Sequence, residues 1–211
     1  MYHGGRMEPM DRVAPLLIVL DLDETLVHSR RKPLEDRRPD FWWAGYAVYV
    51  RPGARSFLQQ LAGWANVAIW TASDADYAFP VLSRVLQEGP EQLADRFAFV
   101  WTSERCLPEE DGEVPLVKPL SEVFALGHDP ARTVVVDNRP ATFARNRDHG
   151  IAVMDYLGAP EDQELPQLQA FLEQLRDAPD VRAVPKRPWR SAVSHPCGAC
   201  QELSEGRGPS E

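Results

Sequence analysis

Five short, mostly apolar runs set the narrowest bounds on the fold: 16–20 (LLIVL), 66–70 (NVAIW), 97–101 (FAFVW), 133–136 (TVVV) and 151–154 (IAVM). Runs this short, with few polar residues between the apolar ones, predict strands covered on both faces. Between them lie segments of helical period. Residues 54–63 carry apolar side chains at 54, 57, 58 and 61, one face of a helix; 74–88, 121–126 and 162–176 read as further helices. Strand–helix alternation predicts an α/β fold, a doubly wound parallel sheet with right-handed crossovers.

One segment interrupts the alternation. Residues 29–50 form an insertion after the first strand. Its polar part up to 40, rich in Arg, Pro and Asp, is expected as loop, and the aromatic, β-branched run 41–50 around Gly45 as a β-hairpin. Ser73 with Asp76 three residues later resembles a capping box for the following helix, within which Pro80 removes one backbone donor and predicts a kink. Residues 102–117 read as an acidic loop. Residues 1–13 are expected as a flexible lead, 14–182 as the folded domain, and 183–211, dominated by Pro, Gly, Ser and charge, as a disordered tail.

A chain of 211 residues holds one sizeable domain, and 44% hydrophobic with 26% charged residues is ordinary for a soluble protein. A net charge of −9 disfavours broad nucleic-acid binding. The longest apolar runs fall far short of the roughly 20 residues of a membrane helix, and the first residues lack the apolar centre of a secretory signal. Three cysteines are too few for a disulfide framework. These features lead us to expect a cytoplasmic monomer with no direct nucleic-acid or membrane partner.

Ligands of such sheets bind beyond the carboxyl ends of the strands, and the polar residues cluster there: Asp21, Asp23 and Thr25 after the first strand, Thr71 and Ser73 after the second, Asp137 and Asn138 after the fourth. On extended backbone Asp21 and Asp23 point to one side. Two converging carboxylates repel unless a cation or a proton lies between them, which suggests an oxygen-liking ion such as Mg²⁺. Taken alone, the run is also compatible with a strand end, a turn and a helix N-cap.

Asp21-Leu-Asp-Glu-Thr25, a Ser/Thr after the second strand, a later Lys and an acidic pair after the fourth strand resemble the haloacid dehalogenase superfamily of phosphotransferases. More narrowly, Asp21 to Ser29, Tyr49-Val-Arg-Pro-Gly53, Trp70-Thr-Ala-Ser73, Val117-Lys118 and Val136-Asp-Asn-Arg-Pro140 are similar to the NLI-interacting-factor-like group, the small phosphatases of the RNA polymerase II C-terminal domain.

The resemblance implies a Rossmann-like core, Mg²⁺ and an aspartyl-phosphate, with phosphoserine or phosphothreonine of a protein or peptide as substrate. It makes Asp21 the nucleophile and Asp23 the proton donor and later the base. Thr71 would hold a phosphoryl oxygen, and Lys118 would neutralise the phosphate and orient the nucleophile. The ion would meet Asp21, the main-chain carbonyl of Asp23 and Asn138, with Asp137 anchoring Lys118 and tuning the metal shell. Thr25, Ala72 and Ser73 join as substrate-binding candidates. The family's insertion contributes an aromatic substrate pocket; Phe41, Trp42, Trp43, Tyr46 and Tyr49 are the candidates here, with plain packing of the hairpin as the alternative. A small-molecule phosphatase and a phosphopeptide-binding scaffold are the rival functions.

Two departures stand out: Pro119 replaces the usual acid after the motif lysine, and Arg139 a usual Ser, which leaves Arg139 either beside the phosphate or in solvent. Cys106 reads as a packed thiol. In the tail, His195, Cys197 and Cys200 are open to zinc, redox or incidental readings, and Lys186, Arg187, Trp189 and Arg190 make a basic-aromatic patch suited to a partner.

Overall fold

The computed structural model describes residues 14–108, 116–187 and 189–194. In chain order the elements are β1 (Leu17–Leu20), β2 (Val27–Arg30), β3 (Phe41–Trp43), β4 (Tyr46–Val50), α1 (Ala54–Ala62), β5 (Asn66–Trp70), α2 (Ala75–Leu86), α3 (Pro90–Arg96), β6 (Val100–Trp101), α4 (Leu120–Ala125), β7 (Thr133–Asp137), β8 (Gly150–Ala152), α5 (Glu164–Leu175) and α6 (Trp189–Ser194). Strands β6-β5-β1-β7-β8 form one all-parallel sheet in that order. The alternation thus yields the expected doubly wound sheet.

Strand β1 is central because both its faces are apolar. Ile18 and Leu20 pack with α1, α2 and α5, while Leu17 and Val19 pack with α4 on the other face. Leu20 pairs with Ile69 on one side and Val136 on the other. This register brings the ends of three neighbouring strands level, so Asp21, Thr71 and Asp137 meet at one edge.

The insertion is a second sheet, antiparallel, ordered β2-β4-β3. Its tight turn has Ala44 at φ +46° and Gly45 at φ +79°, the two left-handed residues of a type I′ hairpin. Residues 29 and 30, expected as loop from their polarity, are strand: β2 pairs with β4 from Val27↔Val50 to Arg30↔Ala47. Only Val27 is buried, so no apolar alternation marks the strand.

Helix α2 is capped by Asp74, whose side chain accepts from Tyr77 N; Ser73, expected as the cap, is committed elsewhere. Pro80 leaves the carbonyl of Asp76 without its helical donor, and the indole Nε1 of Trp43 donates to it at 3.1 Å. The short helix α3, absent from the sequence expectations, starts with proline at its first position. Pro140, at a position favoured for opening an α-helix, instead starts a kinked 3₁₀ run, Pro140–His149.

The folded body extends beyond residue 182. Trp189 is buried against Phe171 and donates to Ala152 O at 2.9 Å. Lys186 is also buried, donating to Val181 O and Val184 O, and Arg190 pairs with Glu164. The expected basic-aromatic patch is therefore largely packing. His195, Cys197 and Cys200 lie outside the described residues. Among the described residues no helix is long and apolar enough to cross a membrane.

Candidate active site

A cavity of about 570 Å³ opens at the carboxyl edge of the large sheet. Asp21, Asp23, Thr71, Ala72, Ser73, Lys118, Asp137 and Asn138 line it, as does Tyr46 from the insertion.

Lys118 lies on the floor, 2% exposed. It arrives from a segment pinned by the Leu107–Val117 bridge and by its own N–H, which donates to Thr142 O at 2.8 Å. Its ammonium donates to Asp21 Oδ1 and to Asp137 Oδ2, each at 2.6 Å. Burial works against the charge on Lys118, but the two aspartates outweigh it and raise its pKa. The second oxygen of Asp21 accepts from Thr25 Oγ1 at 3.0 Å, so Thr25 lies behind Asp21 rather than in the cavity wall. Burial, with Asp137 and Asp23 adding to it against the pull of Lys118, raises the Asp21 pKa to about 7.

Asp23 occupies a different setting. Its Oδ2 accepts from Ser73 Oγ at 2.7 Å and Thr71 Oγ1 at 3.2 Å, and its Oδ1 from Tyr77 OH at 2.8 Å. Burial raises its pKa, with the Ser73 and Tyr77 hydroxyls acting against that rise. The two carboxylates thus differ in kind: one is tied to a cation, the other is caged by hydroxyl donors.

The donor set suits a hard divalent ion. Asp21 and Asp137 set two carboxylates against one buried ammonium, which leaves room for a second cation. Asn138 donates its amide nitrogen to Asp155 Oδ1 at 2.9 Å, which leaves its amide oxygen available. Asp137 accepts from Lys118 Nζ through one oxygen and from Arg139 N at 2.8 Å through the other. Among the described residues no three acidic, histidine or cysteine side chains form a cage. A site built from Asp21, the Asp23 carbonyl and Asn138 would leave positions for water and substrate, the habit of Mg²⁺.

The two tryptophans do not join the cavity. Consecutive residues on a strand face opposite ways, and Trp42 is 51% exposed while Trp43 turns to Asp76. Phe41 packs against the core, and Tyr49 is buried under the small sheet. Tyr46 alone of the five reaches the site, with the Arg31 guanidinium over its ring at 4.9 Å. Arg139, left open by its sequence context, also lines the cavity with its side chain exposed. Tyr77 and Ser29 were missed by sequence reasoning. Helical side chains point back toward the helix N-terminus, so a tyrosine in the first turn after a sheet-edge loop was the available signal. Trp43→Phe, which removes a solvent-exposed bond to Asp76 O, is expected to lower stability by only about 0.5 kcal/mol, and Trp42→Ala should be nearly neutral; thermal denaturation of both checks this.

This parallel sheet, with its acid-bearing central strand, small antiparallel insertion and buried lysine, has the fold of the haloacid dehalogenase-like hydrolases. A hydrolase of that family from Xanthomonas campestris superposes with a TM-score of 0.52 at 15% identity, covering 80% of this chain and 99% of its own. Fission yeast RNA polymerase II CTD phosphatase Fcp1 bound to beryllium fluoride gives 0.50 at 17%, covering 85% and 62%. The chain belongs to the NLI interacting factor-like phosphatase family, whose model matches residues 16–182. Human carboxy-terminal domain RNA polymerase II polypeptide A small phosphatase 1 is 33% identical over 181 residues, and nuclear envelope morphology protein 1 of Saccharomyces cerevisiae 29% over 184. The alignments take in 82% and 79% of this chain but 64% and 40% of those relatives.

Proposed function

We propose that the chain is a Mg²⁺-dependent phosphatase that hydrolyses phosphoserine or phosphothreonine in a protein through an aspartyl-phosphate on Asp21. The observation that carries this is Lys118, held at 2.6 Å by both Asp21 and Asp137 at the floor of the cavity, with Asp23 caged beside it. In the first step an Asp21 oxygen bonds to phosphorus as the ester P–O bond breaks, and Asp23 gives its proton to the departing oxygen. In the second, Asp23 takes a proton from water, whose oxygen bonds to phosphorus; inorganic phosphate leaves and the Asp21 carboxylate is restored. Lys118 keeps Asp21 oriented and offsets phosphate charge. Asp21, the Asp23 carbonyl and Asn138 would hold Mg²⁺, which would supply further charge neutralisation.

The protein substrate is supported by the name of the human relative, a small phosphatase of the RNA polymerase II carboxy-terminal domain, and by an insertion that is only a small sheet, leaving the cavity open to a peptide. An intact Asp21, Asp23 and Lys118 set argues against a mere phosphopeptide scaffold. Chelation of Mg²⁺ should abolish hydrolysis of an aryl phosphate and of a phosphoserine peptide, and Mg²⁺ should restore both. Activity on the aryl phosphate but on no member of a phosphopeptide panel would count against the protein substrate.

A further inference from the structure

We propose that Tyr77 is a positioning residue for Asp23, held in place by the insertion sheet; the idea rests on the reading of Asp23 as the proton donor. Thr71 and Ser73 grip only Oδ2 of Asp23. Among the described residues, Tyr77 is the side chain bonded to Oδ1, its hydroxyl donating at 2.8 Å. Without it the carboxyl group can rotate about its bond to Cβ, and a proton meant for the leaving oxygen loses its direction.

The tyrosine is itself fixed from the insertion at three points. Ser29 of β2 meets its hydroxyl at 2.5 Å, Tyr46 of β4 packs edge-on against its ring at 6.4 Å between centroids, and Trp43 of β3 takes the carbonyl of the preceding residue, Asp76. That last contact is available only because Pro80 cannot supply the helical donor. Every strand of the small sheet therefore contributes to the placement of one hydroxyl. Because the single Tyr77 proton goes to Asp23, Ser29 is the donor in the bond between the two hydroxyls.

The role is separable from substrate binding because the need for a proton depends on the leaving group. A p-nitrophenolate departs unaided, whereas a seryl alkoxide needs the proton in the transition state. Values of kcat/KM for p-nitrophenyl phosphate and for a phosphoserine peptide should be measured with Mg²⁺ for wild type, Tyr77→Phe, Ser29→Ala and Asp23→Asn. Tyr77→Phe should cut kcat/KM for the peptide at least about tenfold more than for the aryl phosphate, with the loss in kcat rather than KM. Ser29→Ala should show the same bias to a smaller degree. Equal losses on both substrates for Tyr77→Phe, or a loss confined to KM, overturn the proposal. If Asp23→Asn itself shows no leaving-group bias, the proton-donor reading fails and Tyr77 falls with it; if Asp23→Asn is biased and Tyr77→Phe is not, only the tyrosine assignment fails.

Discussion

Asp21→Asn is expected to fold normally and to lose at least about a thousandfold of kcat on an aryl phosphate, because the amide cannot form the acyl phosphate. The same substitution carries a second, opposite sign. Burial raises the Asp21 pKa to about 7 from an ordinary 3.8, even with Lys118 pulling it down. A carboxyl whose folded pKa is raised binds its proton more tightly in the folded state, so the wild type loses stability as pH climbs from about 4 to about 7. Asparagine does not titrate. In metal-free buffer the variant should therefore gain on the wild type in thermal midpoint across that window and hold the gain above it. A dead enzyme that is no less stable at pH 8 separates a chemical role from a structural one. Full activity in the variant, or a lower midpoint at pH 8, would refute the assignment.

The largest stability effect is expected at Arg51, which stands in Tyr49-Val-Arg-Pro-Gly53 and is fully buried. Its guanidinium grips both oxygens of Asp162 at 2.8 and 2.9 Å and donates to Thr25 O and Met154 O, each at 3.0 Å. Asp162→Ala would leave that charge buried without its counter-ion, at a cost of about 3 kcal/mol, or about 10 °C in midpoint. The partial exposure of Asp162 keeps the cost at the low end of the range for such pairs. Burial pushes the Asp162 pKa up, but Arg51 and the N–H of Glu164 outweigh it, and the net shift is downward. The ion pair's contribution is then present above about pH 4 and lost as pH falls through the depressed folded value, so the gap between wild type and variant should close in acid. Because Thr25 donates to Asp21, Asp162→Ala should also lower kcat modestly.

The large sheet and the placing of its polar ends were legible because burial on both faces leaves an unmistakable apolar run. Asp21, Thr71 and Asp137 could be named in advance for the same reason, each standing at the end of a core strand; Lys118 was named only through the family resemblance. The strand at 27–30 was not legible, since an edge strand with a single buried residue carries no periodic pattern. Nor was Trp189, whose polar sequence neighbours gave no sign that its ring would be buried beside Phe171.

The opening run through Asp21-Leu-Asp-Glu-Thr25, taken as sequence, determined the sheet edge, the pair of carboxylates and the chemistry open to them, because these depend on local backbone geometry and residue type. Tertiary structure alone decided which partner each carboxylate received. Lys118 reached Asp21 across 97 residues and Tyr77 reached Asp23 across 54, and the tryptophans expected at the substrate were turned to packing and solvent. Contacts between distant segments depend on how helices and sheets settle against one another, and no short stretch of chain encodes that.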